Sequence, residues 1–430
     1  MFYPNFEIKL GMSIVIQEKT KKHDNFEYQW RFSIIFVKES AMAKLSFENT
    51  EIAFKHKSNQ ELKEAKWLFS IFKHPTLIKY GPPLTAWALK LHLPIKGFVK
   101  ATVFKHFCGG ETIAECVDSA DELFKYGVGS ILDYSVEGVE DEASFDANFE
   151  EIKLCIFRSK KDDRFPFAVF KTTGIARFDL LKRINLGDQL SKEESAEFDR
   201  VKKRFTGLSD YAVESGVRLF IDAEETWIQN VIDGLAIEMM QKHNKNKVMI
   251  YNTLQMYRKD RLDHLVAIIA SAKSQGYNLG FKLVRGAYME KERERAMERD
   301  YKSPIQDDKE ATHRAFDEAV SVCFENRDIV SICVGSHNED SALKLVKLME
   351  KANIAMDDDR FYFAQLYGMS DIISFNLAHA GYRVCKYLPY GPIKAVMPYL
   401  GRRAQENSSV AGQVGREMNL IVRELKRRSI

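Results

Sequence analysis

The stretch Pro389–Asn407, PYGPIKAVMPYLGRRAQEN, concentrates groups able to hold a small charged molecule. Arg402 and Arg403 are adjacent, Glu406 follows Arg402 by four positions and Arg403 by three, and Tyr399 lies one turn back. Residues three and four apart on a helix share a face. Paired guanidiniums grip a carboxylate in a fork, and Glu406 would offset the excess positive charge. Taken alone, an Arg-Arg pair is more ordinarily a solvated, salt-bridged helix face. The segment gains its meaning from what precedes it.

A second set of polar residues stands at the ends of short apolar runs. The runs are Ile131–Tyr134, Phe167–Lys171, Val217–Asp222, Val248–Tyr251, Asn278–Val284, Ile329–Val334, Phe361–Ala364 and Arg383–Tyr387. Between them lie amphipathic stretches such as Ser191–Gly216, Thr226–Lys242, Lys259–Gly276, Ile305–Glu325 and Asn338–Asn353. Strands alternating with helices imply right-handed crossovers and a parallel sheet. Eight such units predict an α/β fold of the (β/α)8 TIM-barrel type. An open doubly wound sheet is the rival, disfavoured because no G-x-G-x-x-G follows an early strand. Barrel chemistry sits at the C-terminal strand ends, and those ends read Asp133, Lys171, Asp222, Gln255, Arg285, His337, Gln365 and Tyr387. Each has a plain explanation. Lys171 can snorkel from a strand end, Asp222 with Glu225 can form a capping box, and His337 with Asn338 can open a helix. Eight together exceed what capping needs.

The chain of 430 residues has room for one large domain with an appendage, or for two. With 64 basic and 61 acidic residues, the charge balance gives no electrostatic reason to expect nucleic acid. The six cysteines include no C-x-x-C and no zinc-like pairing with histidine, which predicts reduced thiols and no structural metal. No apolar run approaches the roughly 18 residues needed to span a bilayer, and no signal or transit pattern opens the chain. Residues 1–41 read as an extension of doubtful relevance. Residues 42–94 read as a helical arm, with helices over Asn59–His74 and from Pro82 to about His92. Residues 95–430 read as the barrel with a basic C-terminal tail.

Several blocks resemble the FAD-dependent proline dehydrogenase family in its single-function form. They are FKTTGIARF (170–178), LFIDAEETW (219–227), YNTLQMYRKD (251–260), FKLVRGAYM (281–289), VGSHN (334–338), QLYGM (365–369) and the segment from Tyr387 to Ser408. The resemblance covers about residues 95–415. It implies a distorted barrel whose eighth helix lies over the mouth and carries Arg402 and Arg403. It implies that these two and Lys171 grip the proline carboxylate, and that Asp222 and Glu406 offset the charge. Tyr387, Tyr399 and Leu366 would surround the pyrrolidine ring. The flavin would be held by Gln255, Lys282, Val284, Arg285, Gly286, Ala287, Tyr288, Ser336, His337, Asn338 and Arg403. Lys282 departs from the arginine of many members, and lysine is a point charge where arginine is a planar fork.

The implied reaction takes L-proline to 1-pyrroline-5-carboxylate and passes electrons through FAD to a membrane quinone. Tyr387 favours proline over hydroxyproline, because a phenol there crowds a ring hydroxyl. The implied location is the bacterial cytoplasm, peripheral on the inner membrane face, or the mitochondrial inner membrane in a eukaryote. The tail Met418–Ile430 has an apolar side and four cations. It either rests on anionic lipid or ends a helix whose cations suit its dipole, the plainer reading. Outside the family, Lys171 would suit an aldolase Schiff base, and a non-enzymatic binding barrel is the remaining alternative.

Overall fold

The computed structural model describes residues 45–429, apart from 73, 92, 137, 138 and 410. The expected extension 1–41 therefore lies outside the described residues. Residues Phe47–Ile430 form one compact unit.

Helices α1 (Thr50–Phe54), α2 (Asn59–Ile71), α3 (Pro75–Lys90), α4 (Lys96–Val99), α5 (Lys105–Phe107) and α6 (Ile113–Phe124) precede the first strand. Ser58 and Glu61 form a reciprocal capping box that starts α2. The helix placed from Pro82 in fact begins at Pro75, and Pro82 and Pro83 lie inside it. Pro75 takes the first-turn position where a missing N–H does no harm. Pro82 is accommodated by packing, since it faces the bare backbone of Gly401 on a neighbouring helix.

The barrel then runs β1 (Val128–Tyr134), α7 (Glu142–Ser159), β2 (Phe167–Lys171), α8 (Phe178–Leu186), α9 (Lys192–Ser215), β3 (Arg218–Asp222) and α10 (Thr226–His243). It continues with β4 (Ile250–Gln255), α11 (Arg261–Gln275), β5 (Leu279–Val284), α12 (Met289–Glu298), α13 (Lys309–Glu325), β6 (Val330–Gly335) and α14 (Glu339–Lys351). It closes with β7 (Phe361–Leu366), α15 (Asp371–His379), β8 (Val384–Tyr390), α16 (Ile393–Ser409) and α17 (Ala411–Arg427). All eight strands are parallel, in the order β1-β8-β7-β6-β5-β4-β3-β2. At the seam, the described residues of β1 and β2 share no ladder; Ser130 N–H donates to the Arg164 carbonyl instead. The expected barrel is present. The fourth strand starts two residues later than its apolar run suggested and ends at Gln255; the Asn244 side-chain oxygen accepts the N–H groups of Met249 and Ile250 at its start.

Inward side chains fill the barrel with an aromatic plug. Phe167 and Phe220 stack at 4.2 Å, and Tyr251 and Tyr362 meet Phe167 edge-on. Such offset and edge contacts suit ring quadrupoles, and the plug leaves no polar channel beneath the mouth.

The C-terminal helix α17 buries Met418, Leu420, Ile421 and Leu425. Of the two readings of the tail this favours the plainer helix end over the lipid-facing surface: its apolar side is core, and Arg423 and Arg428 bond Glu48 and Glu424. On the outer side of β8, fully buried Lys386 pairs with Asp371 at 2.8 Å, and Lys57 approaches the same carboxylate at 3.4 Å. Burial opposes the charge on Asp371, but the two lysines outweigh it and hold the acid well below its ordinary range. Removing one partner of a buried pair strands the other charge. Lys386→Met should lower the free energy of urea unfolding by about 3 kcal/mol; a loss near zero would show that the pair is not structurally required.

Candidate active site

The last rungs of the sheet place the candidate residues. Lys171 of β2 is in register with Asp222 of β3, Gln255 of β4 with Val284 of β5, and Leu366 of β7 with Tyr387 of β8. Lys171 Nζ stands 3.5 Å from Asp222 and 3.2 Å from Asp133, so it bridges the seam between β1 and β2. Lys282 Nζ donates to the other oxygen of Asp222 and, at 2.5 Å, to the Tyr387 hydroxyl. It lies 4.5 Å from the Tyr387 ring centre and 5.3 Å from that of Phe220. Burial opposes ionisation of Asp222, but Lys282 and Lys171 more than compensate and keep it below the ordinary carboxylate range. Burial pushes the Tyr387 phenol well above its usual value, and Asp222 adds to the effect. An acid held ionised in this way is a weak proton acceptor, so its geometry suits orientation rather than base catalysis. Lys171 is salt-bridged to two carboxylates, unlike the desolvated neutral amine a Schiff base requires.

A cavity of about 1040 Å³ opens among the loops that follow β2, β3 and β5, and Lys171, Asp222, Lys282 and Tyr387 are not part of its lining. Thr173 and Glu224 line it on one side, two residues past Lys171 and Asp222 respectively, and Arg285–Tyr288 and Arg402 line it on the others. Gly286 is required there: its φ is +134°, and a Cβ would lie 2.6 Å from the Tyr257 ring. Arg285 is held on three sides. Its guanidinium donates to His313 Nδ1 at 2.7 Å, to the Ser336 hydroxyl at 2.7 Å and to the Ser341 hydroxyl at 2.9 Å, and it sits 4.4 Å from the Phe316 ring centre. Burial pushes it down to about 10, so it remains a cation at the cavity wall. His337 reaches Ser370 Oγ at 2.9 Å. Burial, then Lys386, Arg403 and Arg285, push it down to about 3, so its ring is neutral.

Other expected residues have mainly structural contacts. Asn338 caps α14 by accepting the Ser341 N–H at 2.9 Å, and Ser336 receives Arg285 and the Asn338 N–H. Gln255 donates to the Glu224 carbonyl at 2.6 Å. Ala287 and Tyr288 follow Gly286 along the cavity wall, and Tyr288 precedes α12. On α16, Tyr399 and Arg403 are buried, the guanidinium 5.0 Å from the phenol ring centre. The side chain of Glu406 lies outside the described residues.

Two groups escaped the sequence reading. Asp133 was noted as a strand end without its role as partner of Lys171. Glu224 accepts the backbone N–H of Thr173 at 3.0 Å and its hydroxyl as well, tying the β2 and β3 loops together. The adjacent acids of DAEE were the available signal, because neighbouring carboxylates resist joint ionisation.

A family profile described as proline dehydrogenase matches residues 116–416. The chain belongs to the proline dehydrogenase family. It is 38% identical over 335 residues to mitochondrial proline dehydrogenase 1 of Caenorhabditis elegans, covering 76% of this chain and 54% of that protein. Thus it spans about half the length of that relative. It is 31% identical over 425 residues to hydroxyproline dehydrogenase of Xenopus laevis, covering 90% of this chain and 91% of the relative. Among solved structures, proline utilization A from Bdellovibrio bacteriovorus superposes with a TM-score of 0.66 at 19% identity, covering 84% of this chain and 38% of that one. That likeness bears on the barrel alone.

At the cavity wall, Glu224 has a pH signature. Burial, with Glu225 beside it, raises its pKa from 4.5 to about 7. The folded state therefore binds a proton between those values that the unfolded chain has lost, and raising the pH weakens the fold through this group. Glu224→Gln removes the effect. The melting temperature of the variant minus that of the parent should grow by on the order of a few degrees from about pH 5 to about pH 8. A difference independent of pH would contradict the raised value.

Proposed function

We propose that this chain oxidises L-proline to 1-pyrroline-5-carboxylate with FAD as acceptor and passes the electrons to a membrane quinone. The observation that carries the reading is the Lys171–Asp222–Lys282–Tyr387 cluster at the barrel mouth, with a cavity bordered by Arg402 among the loops after β2, β3 and β5. Lys171, Arg402 and Arg403 would hold the substrate carboxylate, and Asp222 would keep Lys171 and Lys282 in place. Three cations around one carboxylate are excessive in water but orient it firmly in a closed site. They also favour loss of the amine proton, leaving the nitrogen lone pair free to form the C=N bond. Tyr387, Tyr399 and Leu366 would pack against the pyrrolidine ring. Tyr387, fixed by Lys282, leaves little room for a ring hydroxyl, which supports proline as the substrate.

The residues around the cavity fit a flavin dinucleotide. A retained cation at Arg285 on the cavity wall suits a pyrophosphate, and neutral His337, which is not part of the lining, offers one ring N–H. Gln255, Lys282, Val284, Arg285 to Tyr288, Ser336 to Asn338 and Arg403 would hold it. FAD, when bound, supplies the hydride acceptor.

Quinone reduction requires lipid contact, and α3 offers it in place of the tail. Leu77, Tyr80, Leu84, Trp87 and Leu91 recur at helical spacing along one side and are 52–61% exposed. Lys90 is exposed at the end of this helix, and Lys96 and Lys100 follow, both paired with Glu111. An apolar helix face with aromatics and lysines is the composition of an interfacial membrane helix. No described helix is long and apolar enough to cross a membrane.

Two measurements test these readings. Arg402→Met should raise the KM for proline by at least about tenfold, the loss of one charge-assisted contact, with the flavin spectrum of the purified protein still bleached anaerobically at high proline. An unchanged KM removes Arg402 from the carboxylate clamp, and a colourless wild-type protein removes the flavin reading. Leu84→Glu with Trp87→Glu should abolish cosedimentation with anionic vesicles and spare turnover with a water-soluble acceptor. Unaltered cosedimentation excludes this face.

A further inference from the structure

The loop joining β7 to α15 contains a turn that the proposed reaction does not use. Ser370 is the N-cap of α15, yet its φ is 52°, and its side chain makes no cap bond to the helix. A serine N-cap ordinarily has extended backbone and turns its hydroxyl back on the first turn. Here the hydroxyl lies 2.9 Å from His337 Nδ1. A non-glycine residue stays in this left-handed region only when its surroundings impose it.

Three buried groups impose it, each from a different element. Lys386 of β8 donates to the carbonyl of Met369 at 2.7 Å and approaches that of Leu366 at 3.4 Å. His106 of α5 meets the Gly368 carbonyl at 2.9 Å, and a Cβ on Gly368 would lie 2.1 Å from the His106 carbonyl oxygen. Glu417 of α17 accepts the backbone N–H of Ser370 at 2.5 Å. Glu417 is 6% exposed, so its carboxyl is a fixed buried acceptor rather than a surface charge. The chain Glu417–Ser370–His337 thus joins the C-terminal helix to the end of β6 through three side chains and one backbone amide.

We propose that Ser370 and Glu417 are positioning residues for His337, and that α17 is thereby part of the cofactor site. The inference rests on the reading of His337 as a flavin contact. The imidazole is neutral, so it has one N–H, and the direction of the bond between Nδ1 and the Ser370 hydroxyl goes with the nitrogen that carries it. A Ser370 hydroxyl donating to Nδ1 leaves the proton on Nε2, where it serves as a donor to a phosphate or carbonyl oxygen of the flavin dinucleotide. Glu417 keeps the Ser370 backbone in the one conformation from which its hydroxyl reaches that ring.

The test follows release of flavin from the purified holoenzyme after dilution, read as the rise of free-flavin fluorescence. His337→Ala, Ser370→Ala and Glu417→Ala should each release flavin about tenfold faster than the parent, the effect of one lost hydrogen bond. Glu417→Gln keeps an acceptor oxygen and should stay within about twofold. The double variant His337→Ala with Ser370→Ala should release flavin no faster than His337→Ala alone, because both remove one linkage. If His337→Ala is fast while Ser370→Ala and Glu417→Ala match the parent, or if Ser370→Ala is fast and the double variant is faster than His337→Ala alone, the positioning role is overturned and the flavin reading of His337 stands. If His337→Ala itself retains flavin like the parent, that reading fails and the positioning role with it. Should Glu417→Ala fail to fold, Ser370→Ala and the double variant decide alone.

Discussion

One carboxylate between two ammonium groups governs the mouth of this barrel. Asp222 stands in register with Lys171 and takes Lys282 from two strands away. Burying three charges is unfavourable unless each is matched, and here each is. Lys171 also reaches Asp133, and Lys282 also reaches the Tyr387 hydroxyl. The aromatic plug below excludes water, which strengthens every one of these contacts. Five of the eight strands are therefore tied at their C-terminal ends by charge and hydrogen bonds in addition to their ladders. The surface at the barrel mouth is rigid because its polar groups already satisfy one another.

The barrel was legible because its signal is periodic. Eight apolar runs at regular spacing, each closing on a polar residue, admit few other folds, and the strands lie where those runs stand, with ends shifted by a few residues. The polar identity of Lys171, Asp222, Gln255 and Tyr387 was equally plain. Register was not legible. Nothing in the order of residues says that Lys171 is opposite Asp222, or that Lys282 would reach past Asp222 to a phenol 105 positions later. The seam contact to Asp133 depends on barrel closure, a property of the whole sheet. Pro82 and Pro83 misled for a related reason: proline at a helix start is a local rule, and tertiary packing on α16 overrode it. The C-terminal tail left two readings open because an apolar stripe reads the same whether it faces lipid or the protein's own core, and the plainer one is what the fold contains.

The elements outside the barrel converge on its far edge. The turn after α1, helix α5, strand β8 and helix α17 all place a titratable side chain near residues 367–371. Lys57, His106, Lys386 and Glu417 come from positions spread across the chain, and a short backbone segment collects them. That segment follows Leu366 and precedes the helix behind β8. Its conformation is fixed from outside the sheet, although its consequences are felt at the mouth.

All six thiols, from Cys108 to Cys385, are sealed in the interior. Burial raises those of Cys108, Cys116, Cys155, Cys323 and Cys385 above their free values. A thiol reacts as its thiolate and only where reagent can reach it. The native fold therefore presents no sulfur nucleophile to solvent, and alkylation is a clock for opening of the structure. Cys333 and Cys385 time the barrel interior, Cys116 and Cys155 the helices packed on β1, and Cys323 the outer helix beside β6.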